Sequence, residues 1–199
     1  MSLDQYLVAL PIFCFVSSIT PGPNNFMLLA SGVNFGFRRS LPHIAGVAIG
    51  FLWLILAVGF GLGALLTLYP PLHIGLKIAG GAYLLWLAWK IANARTLSDG
   101  KDSAARPLTF LQAAAFQWVN PKAWVMAVTA MAVYADPARP FLSVLLVGGI
   151  FALVNAPCIS SWTLFGVAMR QFLSDPVRLK WFNIAMGVAL AATLWPLLR

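Results

Sequence analysis

Hydrophobic positions gather in six long runs, at about 7–33, 44–68, 72–91, 110–134, 141–169 and 181–198, separated by short polar and Pro-rich segments. A helix needs about 20 apolar residues to cross a bilayer, and each run is near or above that length. The interruptions are turn signals: Arg38-Arg39-Ser40 with Pro42, Tyr69-Pro70-Pro71, Asp136-Pro137 with Pro140, and Ser174-Asp175-Pro176. The pattern predicts an all-α integral membrane protein, a six-transmembrane-helix bundle forming a single domain over 1–199.

The longest polar stretch, 95–107, divides the chain nearly in half. The halves, about 1–94 and 107–199 around a linker at 95–106, share their punctuation. Pro21 and Pro121 each sit deep in the first run of their half. Pro42 follows the former by 21 residues, and Pro140 follows the latter by 19. Lys77 and Lys180 then stand at the head of each third run. Three spans per half is odd, so a second copy must be inverted in the membrane. The expectation is two inverted three-helix repeats, a recurring transporter plan.

Composition narrows the class. The chain is 61% hydrophobic and 9% charged, with a mean hydropathy of +0.86, whereas soluble domains carry roughly a quarter charged residues. That excludes a water-soluble globule and leaves no room for a second, soluble domain. The net charge of +8 comes from residues scattered singly or in pairs, not from a basic stripe interleaved with aromatics, so nucleic acid is not an expected partner. The start, MSLDQYLVALPIF, has no basic n-region and is expected to be an uncleaved first span. Six spans put both termini on one side. Arg38, Arg39, Lys90, Arg95, Lys101, Arg106, Arg170, Arg178 and Lys180 fall on one face, against Lys77, Arg139 and Arg199 on the other. The positive-inside rule makes the first face cytoplasmic and puts both termini outside. Cys14 and Cys158 lie in apolar runs without metal-ligand spacing and read as reduced packing residues.

The most informative residues are Thr20-Pro21-Gly22-Pro23-Asn24-Asn25, at the midpoint of the first run. Two prolines withhold backbone donors and free the carbonyls of Ser17 and Ile19. Gly22 relaxes the backbone between them, and Asn24 can cap a restarted half-helix. Such a break in hydrocarbon is tolerated only where it lines a protein-enclosed or wet cavity. The fourth run repeats the device as Gln117-Trp118-Val119-Asn120-Pro121-Lys122, with a cation where a lysine costs roughly 3 kcal/mol or more unless it has a partner. The fifth run carries Asn155-Ala156-Pro157 at its own midpoint. Together these residues suit a zwitterion: freed carbonyls and Asn oxygens for an ammonium, half-helix N–H groups and Lys122 for a carboxylate. Ordinary proline kinks, and a lysine snorkelling along a tilted helix, are the blander readings.

The remaining features read as packing. Gly46/Gly50 and Gly59/Gly63 give small-xxx-small spacing, and Gly80-Gly81 belongs with them. Trp86, Trp89, Trp118, Trp124 and Trp195 are expected in interfacial belts or core, and His43 and His73 as solvated or capping residues at span ends. No glycine loop for a nucleotide, no His/Cys/Asp cluster for a metal and no paired carboxylates for hydrolysis occur, so neither an enzyme nor a cofactor is expected. All five acidic residues, Asp4, Asp99, Asp102, Asp136 and Asp175, lie outside span centres, which points to a neutral substrate. Lys122 is therefore the first candidate for coupling transport to an ion gradient, and His43 the second.

The block TPGPNNFMLLASGVNFGFRRSLPHIAGVAIGF, with AGGAYLLWLAWKIA and QWVNPKAW further on, resembles the signatures of the LysE/RhtB family of amino-acid exporters. The pattern is most similar to the branch that exports cysteine and O-acetylserine. The resemblance implies a secondary exporter of small amino acids in the bacterial inner membrane, with Pro21 to Asn24 and Asn120 to Lys122 as motif positions. Members that export basic amino acids tend to carry an acidic residue in the second span, and this chain does not. The expected partners are the amino-acid substrate and the bilayer, and the bundle also allows a homodimer. The rival classes are an intramembrane enzyme and a non-transporting membrane subunit; the latter leaves the inward polar residues unexplained.

Overall fold

The computed structural model describes residues 8–62, 68–94, 97 and 106–195, with the backbone alone at 70, 72 and 73. The described residues form seven α-helices and no strand: α1 (Leu10–Ile19), α2 (Pro23–Ala57), α3 (Pro70–Ala92), α4 (Phe110–Gln117), α5 (Pro121–Tyr134), α6 (Pro140–Met169) and α7 (Pro176–Ala192). Proline opens α2, α3, α5, α6 and α7. Its missing N–H is no loss at a first helical position, and its fixed φ suits the first turn. Three of the described helices are long and apolar enough to cross a membrane: Pro23–Leu62, Ile74–Ala92 and Pro140–Met169.

The stretch from Pro23 to Leu62 is not one rod. Gly36 stands at φ 77° and ψ 171°, a left-handed conformation that glycine adopts at little cost. The hydroxyls of Ser31 and Ser40 lie 2.7 Å apart. Nine residues along a straight helix span about 13 Å, so the chain must fold back at Gly36 into two arms. The turn expected at 38–42 is therefore displaced. Pro42 lies inside the second arm, whose helix starts well before position 44.

The two breaks fall where the sequence predicted them. The run at 7–33 is α1, then Thr20-Pro21-Gly22, then the first arm of α2; the run at 110–134 is α4, then 118–120, then α5. Pro157, by contrast, leaves α6 continuous over 30 residues. The ends of the second and sixth runs, the N-terminus, the His73 side chain and most of the linker at 95–106 lie outside the described residues.

Two apolar clusters hold the bundle. One joins Leu10 and Cys14 of α1 to Phe51, Leu54, Ala127, Met131 and Phe151. The other joins Met27 and Leu28 of the first arm to Ile44, Val47, Leu84, Phe116 and Leu190. Each broken run thus gives one half to each cluster, and the breaks sit between them. Close crossings rest on small residues: Gly32 faces the backbone of Thr163, Gly166 that of Leu29, and Gly50 that of Ala114. A side chain at any of the three would meet main chain and force the helices apart.

Candidate functional site

At the first break, helix geometry ends with Thr20 N–H bonded to Val16 O, and Pro21 contributes no donor. The carbonyls this releases are not left open. Asn25, buried, donates its amide to Ser18 O and Thr20 O, both at 2.8 Å. The Trp162 indole donates to Ile19 O at 3.0 Å, and the Thr20 hydroxyl donates to Ser17 O at 3.1 Å. Lys122 Nζ donates to Thr20 O at 2.6 Å, Thr20 Oγ1 at 2.9 Å and Pro21 O at 3.2 Å. The carbonyls freed in the sequence reading, Ser17 O and Ile19 O, are taken by Thr20 and Trp162, and the protein's own ammonium sits on the next two, Thr20 O and Pro21 O, at the negative end of α1.

Gly22 explains how the lysine gets there. A Cβ at this position would lie 2.6 Å from Lys122 Cδ and 3.1 Å from Nζ. The residue is extended (φ −178°), so space rather than conformation demands glycine here. Gly22, not Asn24, stands at the cap position of α2, and Pro23 follows as the first helical residue. Asn24 is thereby freed to reach across the bundle.

Its partner is Gln117 on the last turn of α4. Asn24 Nδ2 donates to Gln117 Oε1 at 2.8 Å, and Gln117 Nε2 returns a bond to Asn24 Oδ1 at 3.1 Å and another to Ala113 O at 2.9 Å. Gln117 is fully buried, so its amide depends on these partners. The second break closes on itself. Asn120 Oδ1 accepts from Lys122 N–H at 3.1 Å, capping α5, and the Trp124 indole donates to Trp118 O at 2.8 Å.

A void of about 20 Å³ lies among Gly22, Asn24, Asn25, Asn120, Lys122 and Asn155. That is room for about one water. The structure thus brings together Thr20 to Asn25, Gln117, Asn120 to Lys122 and Asn155. Pro157 is exposed and lies outside the lining of this void, and His43 sits in a different part of the bundle. Trp162 is the residue that sequence reasoning missed. It lies seven positions beyond Asn155 on α6, hence on the same face, and that spacing was the available signal. Ser18 Oγ, buried beside the break, has no partner. Among the described residues no group of His, Cys, Asp or Glu could hold a metal ion. Cys14 and Cys158 are buried and unbridged.

Comparison with known proteins gives this arrangement a context. The family model described as LysE type translocator matches residues 15–193. Proteins called cysteine/O-acetylserine efflux protein, from Escherichia coli strain K12, E. coli O139:H28 (strain E24377A / ETEC) and Shigella flexneri serotype 5b, are each 35% identical over 180 residues, covering 89% of this chain and 90% of the relative. No solved structure matches.

Proposed function

The chain belongs to the LysE type translocator family, and from that premise we propose that it is a secondary-active exporter of small neutral amino acids or derivatives, of the cysteine, O-acetylserine, homoserine or threonine type, across the bacterial inner membrane. One observation carries the reading: two helix breaks, one from each half, meet between the apolar clusters and are tied by Asn24–Gln117 and by Lys122–Thr20. Packing alone needs no such device: the buried Gln117 amide loses its Asn24 partner if the pair opens, while the Lys122–Thr20 contact stands exposed.

The proposed topology has six spans: α1 with the first arm of α2, the second arm, α3, α4 with α5, α6, and α7. Its packing supports two inverted repeats, 1–94 and 107–199. Span 1 meets span 5 at Gly32 and Gly166, and span 2 meets span 4 at Gly50 and Ala114. Span 2 meets span 5 at Phe51 and Phe151, and span 3 meets span 6 at Ala88 and Gly187. Exchanging the halves leaves this set of pairs unchanged. Arginines and lysines orient the bundle with both termini outside. An externally active reporter fused after Arg199 is then active, and one near Gly100 is silent.

In the mechanism, Lys122 serves two states. Empty, its ammonium fills the carbonyl ring of Thr20 and Pro21, which closes the void. A loading zwitterion brings its own ammonium to those carbonyls and its carboxylate to the displaced Lys122 and the first turn of α2. The site must widen to admit it, since one water's volume is too small. No carboxylate lines the site, so a second cation has no partner and basic amino acids are rejected. We assign coupling to the same lysine, Lys122, which changes protonation once per transport cycle and so ties substrate movement to proton movement.

Efflux of a panel of radiolabelled amino acids from loaded vesicles tests the reading. Cysteine-sized neutral amino acids leave faster with the protein present, and lysine and arginine do not. Equal efflux with and without the protein for every member of the panel would sink it.

A further inference from the structure

Among the described residues His43 is the one side chain with two buried polar atoms that lack a partner. Its side chain is 1% exposed, and neither Nδ1 nor Nε2 has a hydrogen-bond partner. A buried donor and acceptor left unpaired cost about 1–3 kcal/mol each, so a packing role alone gives no reason for histidine here. Leucine of similar bulk would fill the space without that penalty.

The imidazole lines a cavity of about 270 Å³ that shares no lining residue with the void at the breaks. This is the volume of roughly nine liquid waters, the scale of a small organic solute rather than of a single ion or water. The two arms of α2 form one wall, the end of α3 another, and the segment before α4 a third. The body of the cavity is apolar, with Met27, Leu87 and Leu108 all buried. Its exposed rim carries Lys90 and Arg106, and among the described residues no carboxylate lines it. The other buried polar groups on the walls are already engaged: Ser31 with Ser40, and Asn34 with Ala30 O and Asn183. Among them His43 alone has no partner on either ring nitrogen; both nitrogens are covered in the empty protein, so a solute reaches them only as the wall gives way.

We propose that this cavity is a second site for the exported solute, a loading vestibule at the basic end of the bundle. It takes a small amino acid with its carboxylate toward Lys90 and Arg106 and its neutral polar side chain hydrogen-bonded to His43. The charge arrangement favours an anionic head at the mouth and a neutral polar group at the floor. The first arm of α2 runs from the Asn24 break past Met27 and Ala30 to this cavity, so one helix joins the vestibule to the transport site. The proposal rests on the export reading, and the experiment separates the two.

Equilibrium binding of labelled O-acetyl-L-serine to the purified full-length protein is measured in four forms: wild type, Lys122→Met, His43→Leu and the double variant. Lys122→Met disables the site at the breaks, so what it still binds is the vestibule's share. Adding His43→Leu weakens that remaining binding about tenfold, the effect of losing one hydrogen bond to the solute's polar side chain. Lys122→Met with His43→Gln, which keeps a donor and an acceptor, holds affinity within about threefold of Lys122→Met alone. His43→Leu also raises the melting temperature of the empty protein, which rules out misfolding as the cause of lost binding. Binding indifferent to His43→Leu, or absent from Lys122→Met, overturns the vestibule. Retained His43-dependent binding in a protein that carries no amino acid across vesicles overturns the export reading and leaves the vestibule standing.

Discussion

The two helix breaks use the same residues, proline and asparagine, but are held in opposite ways. The break at 118–120 is finished locally: Asn120 caps α5 and Trp124 closes on Trp118 O, six residues back along the chain. The break at 20–22 is finished largely from elsewhere in the chain, by Trp162 of α6 and Lys122 of α5, with Asn25 and the Thr20 hydroxyl as near partners. A self-contained break keeps its shape when neighbouring helices move. One held by distant side chains can change when they withdraw. We therefore propose the first break as the moving part of the site and the second as its fixed frame, with Lys122 reaching from frame to moving part.

Removing that reach has the largest expected effect. Lys122→Met strips donors from Thr20 O and Pro21 O and takes away the group that meets the substrate carboxylate. A hydrogen bond to a charged group is worth about 1.5–3 kcal/mol, so losing two lowers flux by at least about a hundredfold, measured as uphill export from vesicles. Lys122→Arg keeps the charge but cannot shed its proton; it retains substrate binding and loses uphill export. If Lys122→Met still accumulates substrate against its gradient, and a protonophore collapses that gradient, frame and moving part are coupled by another group.

The next effect belongs to the amide pair. Asn24→Ala and Gln117→Ala each leave the protein inserted at normal abundance and reduce transport by about ten- to a hundredfold, because each strands a buried amide. The double variant is little worse than either single one, a coupling of about 1–2 kcal/mol in a double-mutant cycle. Additive losses mean that the two amides act separately, and the picture of a bridged pair fails.

Much of this contrast was legible beforehand. Proline cannot donate, so TPGPNN and WVNPK announced broken helices wherever they lay along the chain. What stayed hidden was who answers the broken carbonyls. Asn24 and Gln117 are 93 positions apart, and Trp162 lies 143 from Ile19; nothing local in a sequence pairs them. The sequence reading left those carbonyls to the substrate, but a buried acceptor with no ligand needs a partner in the empty protein too. The turn at Gly36 was masked by the louder signals of Arg38-Arg39 and Pro42, since a single glycine does not declare a positive φ. His43 was misread as solvated because it sits near the start of an apolar run, yet the returning chain buries it.

A smaller effect follows from Trp162. Trp162→Phe keeps the ring that packs edge-on against Phe26 and removes only the bond to Ile19 O. One neutral hydrogen bond contributes about 1 kcal/mol, so transport changes by roughly fivefold. The sign is informative. If Trp162 restrains the moving break, the loss loosens it and the rate of the empty site's return rises, read as faster exchange at saturating substrate. An unchanged rate assigns Trp162 to packing alone.

Asn120 decides whether the second break is only a frame. Its side-chain oxygen caps α5, and its residue also lines the small void, so substitution by alanine confounds two roles. Serine separates them, because it caps a helix about as well as asparagine but is shorter and lacks the amide. Asn120→Ala loses about 1 kcal/mol of stability with the cap, seen as a lower melting temperature, and transport falls with it. Asn120→Ser keeps the wild-type melting temperature. If the second break is frame alone, Asn120→Ser also keeps transport within about twofold, because the capped geometry that aims Lys122 is intact. If Asn120→Ser is as stable as wild type but transports about a hundredfold more slowly, the amide itself touches substrate. The two breaks would then share the binding work, and the division between moving part and frame would have to be redrawn around a site in which both halves grip the solute.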